Sequence, residues 1–218
     1  MKQSVFFIDQ GKRWNSFKAV FRALFLTGLF LIMTGCGEES GQCGGVRDSG
    51  LCITIDTISP NDTAAGGGET SDVDALQVDC DSTAAVDPEP FGAHAADVKF
   101  SVNKTSPTVA VPPAPAFVTL TQYTISYALN PGSPSGPALT SRTFNDTIKI
   151  KTGASVTATL RFVEIAQKDQ YLSGGGSVLT PSSYTATYTF TGTDELNNPI
   201  TLSGGTQFTI GDFDLCSS

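Results

Sequence analysis

The chain reads as an all-β protein of two antiparallel sheets packed face to face, and three observations point there. Long stretches of the middle and carboxy-terminal sequence alternate apolar and polar residues with a period of two. Thr, Ser, Val, Tyr, Gly and Pro dominate these stretches, and no apolar stripe of helical period persists. Turn-forming clusters punctuate them, "PGSPSG" at 131–136, "SGGGS" at 173–177 and "DELNNP" at 194–199. Strands with one buried face must pair those faces, and seven or eight of them suit two stacked sheets.

Short strands are expected at 51–58, 74–80 and 97–103. In "QYTISYAL", Tyr123, Ile125, Tyr127 and Leu129 share one side. "TFNDTIKIK" turns Phe144, Ile148 and Ile150 inward and Lys149 and Lys151 outward. "ASVTATLRF" does the same with Val156, Ala158, Leu160 and Phe162 inside and Thr157, Thr159 and Arg161 outside. "PSSYTATYTF" sets Tyr184, Ala186, Tyr188 and Phe190 against a ladder of Thr185, Thr187 and Thr189. The last run keeps one phase through Ile200, Leu202, Phe208 and Ile210, with a bulge or bend expected at Gly204 and Gly205.

From about residue 97 to 213 this pattern resembles an immunoglobulin or fibronectin type III-like sandwich. Tyr184 opens its strand after "TPSS" much as the tyrosine-corner residue does in that architecture, although the inter-sheet Cys and Trp of antibody domains are missing. The resemblance implies an antiparallel immunoglobulin-like β-sandwich of about 7–8 strands over residues 51–218.

The amino-terminal region has a different character. Residues 1–22 hold Lys2, Lys12, Arg13, Lys18 and Arg22 against the single acid Asp9, and an apolar run follows from Ala23 to about Thr34. Some 12 apolar residues suit a secretory signal and fall short of the roughly 18 needed to span a bilayer as a helix. An ordinary signal peptidase wants small residues one and three positions before its cut, and Met33 stands three before Cys36. Met33-Thr34-Gly35-Cys36 resembles instead a bacterial lipobox, with Met33 in place of the usual Leu. The resemblance implies a lipoprotein signal peptide at 1–35, cleavage before Cys36, a diacylglycerol on its sulfur and an acyl chain on its new amino group. Two or more chains hold a protein stably at a membrane, where one anchors it only marginally. Gly37, rather than the Asp that retains some lipoproteins at the inner membrane, favours outer-membrane sorting, with the domain facing the periplasm or the cell surface. Residues 36–50 are then the lipidated cysteine and a polar, glycine-rich tether.

Without residues 1–36 the chain keeps eight basic and 20 acidic residues, a net charge of −12. So acidic a surface repels phosphate backbones, which argues against nucleic acid or an anionic lipid surface as a partner. The remaining cysteines, Cys43, Cys52, Cys80 and Cys216, are even in number in an exported chain and read as two disulfides. Cys80 shares a strand phase with Leu76 and Val78, and Cys52 falls opposite Leu51, Ile53 and Ile55. That ranks the pairings as Cys43 with Cys52 and Cys80 with Cys216.

The sequence offers little for catalysis. His94, in the connection "PFGAHAAD", is the sole histidine, and there is no Gly-x-Ser-x-Gly elbow, phosphate-binding loop or His-Glu-x-x-His helix. The expectation is a non-enzyme without cofactor. Acids cluster at Asp62, Asp72, Asp74, Asp79 and Asp81, and Asp72, Asp74, Asp79 and Asp81 are the calcium candidates; an EF-hand reading from Asp72 fails because Leu76 occupies its fifth position. Sugar-binding sandwiches stack their ligands on exposed aromatics, yet Trp14 is lost with the leader and most tyrosines fall on core phases. Tyr171, expected in a loop, is the remaining stacking candidate. The reading is a lipid-anchored structural or interaction module of the cell envelope with a protein partner; a carbohydrate-binding accessory domain is the alternative.

Overall fold

The computed structural model describes residues 50–62, 70–79, 88–104 and 115–213. They are mostly β, with two sheets and one short helix. The elements in order are β1 (Leu51–Asp62), β2 (Asp72–Asp74), β3 (His94–Lys104), β4 (Phe117–Leu129), β5 (Arg142–Lys151), β6 (Ser155–Val163), α1 (Ile165–Ser173), β7 (Ser182–Asp194) and β8 (Pro199–Gly211). One sheet has the order β1-β3-β6 and the other β2-β8-β7-β4-β5. All pairs are antiparallel except β2 with β8, which run parallel. The expectation of wholly antiparallel sheets is corrected at that pair. No described helix is long and apolar enough to cross a membrane.

The alternation seen in the sequence is what fills the shared core. Tyr184, Ala186, Tyr188 and Phe190 of β7 and Leu202, Phe208 and Ile210 of β8 are buried, as are Val98 and Phe100 of β3 and Leu160 and Phe162 of β6. Edge-to-face aromatic pairs join the sheets: Phe100 meets Phe190 at 4.9 Å between centroids, and Phe162 meets Phe208 at 5.1 Å.

The inner tyrosines also supply hydrogen bonds that phenylalanine could not. β6 is an edge strand, and its pairing with β3 shifts register between His94 and Ala95, so that Phe162 is the extra residue. Three hydroxyls from the opposite sheet attend to the backbone there. Tyr188 donates to the Arg161 carbonyl at 2.7 Å, Tyr127 donates to the Phe162 carbonyl, and the Arg161 N–H donates to Tyr123 at 3.2 Å. Burial pushes all three phenols above their ordinary pKa, so they stay protonated.

Several local expectations change. β4 carries a bulge between Leu120 and Gln122, so its buried side passes from Val118 and Leu120 to Tyr123 and Ile125, and Leu129 at its end is exposed. No bulge occurs at Gly204 and Gly205, which pair in unbroken register with Tyr188 and Thr187. Gly204 instead sits in a tight spot: a Cβ there would lie 3.0 Å from Ile55 Cδ1 and 3.3 Å from Ile58 Cδ1, where β1 of the facing sheet comes close. The strand expected at 74–80 is only Asp72–Asp74, with Val73 and Ala75 buried and Leu76 exposed, so the phase argument for Cys80 fails. Cys52, placed on the polar face, is buried with Leu51 and Ile53. It is disulfide-bonded, and its partner lies outside the described residues. Tyr184 does not close a local tyrosine corner, because its hydroxyl bonds the Pro137 carbonyl at 2.8 Å, far back in the β4–β5 connection.

α1 is the element the alternation did not announce. Its buried residues are Gln167, Lys168 and Tyr171, a face too polar to register as an apolar stripe. Local chemistry starts and anchors it instead. The Glu164 N–H donates to Gln167 Oε1 at 3.3 Å in a capping-box arrangement, and Gln167 and Gln170 hydrogen-bond Thr140.

Candidate functional site

Beside α1 lies a cluster of buried charge that the core pattern would not lead one to expect. Asp62 ends β1, Asp74 ends β2, Glu89 sits in the segment before β3, His94 begins β3, and Lys168 reaches in from α1; each is at most 4% exposed. Asp212, half-buried, follows β8. Burying an ion without compensation is costly, so the groups around each charge matter.

The frame that holds them is backbone. β2 is pinned to β8 with Asp72, Val73 and Asp74 opposite Thr209, Ile210 and Gly211, and the Ala75 N–H donates to the Gly211 carbonyl at 2.6 Å. This places Asp74 next to Asp212. The Glu89 N–H donates to the Val78 carbonyl at 3.0 Å, while Glu89 Oε1 accepts from the Val78 N–H at 2.8 Å. Asp74 Oδ1 accepts from the Leu76 and Phe213 N–H groups at 3.2 and 3.3 Å, and its Oδ2 has no hydrogen-bond partner. One oxygen each from Asp74, Glu89 and Asp212 lie within 4.8 Å of one another.

Electrostatics follow from this burial. Desolvation raises the Asp74 pKa to about 6, with the two backbone donors pulling it down and Glu89 pushing it up. Burial lowers the Lys168 pKa, against the attraction of Asp74, Asp62 and Glu89. The Lys168 ammonium also lies 4.1 Å from the centre of the Phe91 ring, a cation–π contact. His94 Nε2 is 3.4 Å from Asp62 Oδ2, and neither ring nitrogen makes a full hydrogen bond. Burial first, then the Lys168 charge, lowers the His94 pKa to about 4 despite Asp62, so the imidazole is neutral at pH 7.

The residues singled out in the sequence are redistributed accordingly. Of the calcium candidates only Asp74 joins the carboxylate group; Asp72 and Asp79 are exposed, and Asp81 is outside the described residues. Asp62 faces His94 instead. His94 is not in a connection but opens a strand, fully enclosed. Glu89 and Asp212 had no signal beyond being acidic, because only the parallel β2–β8 pairing and the turn-back of the chain at Val78 bring them to Asp74. Tyr171 is 0% exposed on α1, its hydroxyl bonding the Ser177 carbonyl at 2.8 Å and Ser182 Oγ at 3.2 Å, so it cannot stack a sugar. Cys36, Cys43, Cys80, Cys216 and Trp14 lie outside the described residues.

The outer face of the larger sheet is chemically plain. The outer face of the five-stranded sheet carries rows of uncharged polar side chains in register, such as Ser203, Thr189, Thr124 and Thr143. Thr189 and Ser203 hydroxyls are 3.1 Å apart, those of Thr124 and Thr143 2.8 Å, and Gln122 donates to Asn145 at 3.0 Å. The described fold is thus a two-sheet β protein with a buried ionic cluster and a hydroxyl-lined outer sheet face. No family model, curated protein or solved structure matches the chain.

Proposed function

We propose that the protein is a lipid-anchored, non-catalytic structural or interaction module of the bacterial cell envelope, built as an immunoglobulin-like β-sandwich. Cys36 carries the lipid that fixes it in the outer membrane. The 14 residues of 37–50, as a flexible chain, reach about 20 Å and hold the domain off the bilayer. Two disulfides among Cys43, Cys52, Cys80 and Cys216 go with this reading; Cys43 with Cys52 and Cys80 with Cys216 is the pairing proposed from the sequence, and it no longer has the strand phases behind it.

The observation that carries the reading is the outer face of the five-stranded sheet and the strand at its edge. Hydroxyls donate and accept with free rotation, so rows of Thr and Ser can meet many polar partner groups without charge. β5 ends the sheet, and Thr143, Asn145, Asp146 and Lys149 along it are exposed. An edge strand can accept an added strand from a partner, while Arg142, Lys149 and Lys151 discourage indiscriminate pairing. Among the described residues, His94 lines an open pocket with Thr159, Leu160, Arg161 and Glu164, where the Thr159 hydroxyl is donated to Asp97. A sugar platform is disfavoured because no aromatic side chain is among the exposed large hydrophobic residues of the described chain.

The test is cross-linking on intact producing cells with a membrane-impermeant lysine reagent, comparing the natural chain with Cys36→Ala. Lys99, Lys149 and Lys151 are exposed and available to it. The expected result is a defined protein adduct, formed directly or after the outer membrane is permeabilised, and loss of the protein from the membrane fraction in Cys36→Ala. A Cys36→Ala chain that remains with the membrane sinks the anchor, and a natural chain that cross-links to nothing in either condition sinks the partner.

A further inference from the structure

We propose that Asp74, Glu89 and Asp212 bind a single calcium ion that fastens the carboxy-terminal segment and the segment before β3 onto β2. Three observations converge on it. The three carboxylate oxygens lie within 4.8 Å of one another, the spread expected of oxygens sharing a cation at about 2.4 Å each. Asp74, a member of this group, is 2% exposed and its Oδ2 lacks any hydrogen-bond partner, as does the buried Asp212 Oδ1. A buried carboxylate oxygen without a donor calls for a partner, and a cation is one that three neighbouring carboxylates can share.

The charge balance agrees. Lys168 is the cation already present, interacting with Asp62, Asp74 and Glu89 together, and His94 beside it is neutral at pH 7. Among the described residues, one ammonium beside the three carboxylates of Asp74, Glu89 and Asp212 leaves negative charge that a divalent ion would offset. The donor set selects the metal. Carboxylates alone, with neither thiolate nor imidazole in the group, suit a hard cation rather than zinc. The half-buried Asp212 leaves a side for the waters that complete a calcium shell, whereas magnesium demands tighter octahedral geometry. The ligands come from three chain segments, so the ion would act as a clasp on the parallel β2–β8 pair. The inference stands apart from the envelope reading and survives its failure.

The test uses the full chain, stripped with a chelator and titrated with calcium by calorimetry and thermal unfolding. Expected are one calcium per chain and a rise in melting temperature of about 5–10 °C once calcium reaches roughly a hundredfold its dissociation constant. Asp74→Asn and Asp212→Asn should each abolish the rise, while Asp72→Asn, on the exposed face of the same strand, keeps it. No uptake by the natural chain overturns the proposal, as does a rise that persists in both Asp74→Asn and Asp212→Asn. Should those variants not fold, manganese(II) in place of calcium decides on the natural chain. Line broadening must centre on the Leu76 and Phe213 amides, which donate to Asp74, and broadening centred elsewhere overturns the site.

Discussion

At the scale of the residue, Tyr171 shows how far a side chain's role depends on what surrounds it. Its sequence context, polar and glycine-rich on the carboxy-terminal side, marks it as the one tyrosine free to meet a ligand. The fold instead closes over it, and a Cβ on Gly176 would lie 2.6 Å from its ring, so that glycine is there to admit the tyrosine. Tyr171→Phe removes the hydroxyl shared by Ser177 and Ser182 and is expected to cost about 1 kcal/mol. Tyr171→Ala leaves a cavity against α1 and is expected to cost about 3–5 kcal/mol, measured by urea unfolding. A solvent-exposed stacking tyrosine would show neither loss, so unchanged midpoints in both variants would contradict the buried placement.

At the scale of the element, the bulge in β4 and the glycine opposite it form one device. Gly192 pairs with Leu120 at the bulge, and a Cβ there would overlap the Thr119 carbonyl oxygen and come within 2.6 Å of Leu120 Cα. Backbone cannot step aside as a side chain can. Gly192→Ala is therefore expected to destabilise by about 3 kcal/mol, near the top of the overpacking range. Gly205→Ala is the contrast, since its Cβ would meet nothing closer than 3.4 Å on a solvent-facing position. It is expected to change stability by less than about 1 kcal/mol. Equal effects of the two in denaturant unfolding would show that steric overlap at the bulge is not what requires glycine. The same bulge explains why the alternation over residues 123–129 gives a single phase while the first half of β4 buries the other parity: the sequence carries no mark of the inserted residue until the partner strand is known.

At the scale of the whole molecule, the ionic cluster ties the acid stability of the fold to one imidazole. Unfolded, His94 takes up a proton near its ordinary 6.5; folded, it resists until about 4. Between those values the unfolded state holds more protons, so stability falls as pH falls, by up to about 3 kcal/mol for this group alone. Asp74 runs the other way, because its raised pKa means that the folded state binds protons first between about 6 and 3.8. The two effects overlap, and the His94→Gln variant separates them. The difference in unfolding free energy between natural chain and variant, in calcium-free buffer, should be constant above pH 6.5 and shift against the natural chain down to pH 4. A flat difference would mean that His94 is not buried neutral.

The sequence by itself determined the β class, the turns, and most of the buried set, because alternation with period two and the punctuation by Gly, Pro and Asn are local properties that each strand carries alone. Tyr184, Ala186, Tyr188 and Phe190 needed no partner to be read as one face, and they are buried. Tertiary structure alone decided the rest. α1 escaped because its buried face is Gln167, Lys168 and Tyr171, polar groups that become tolerable only where Thr140, the acids and Ser182 meet them. The carboxylate group escaped because Asp74, Glu89 and Asp212 are brought together by a parallel strand pair and a chain reversal, and no local pattern encodes which distant segments will lie side by side.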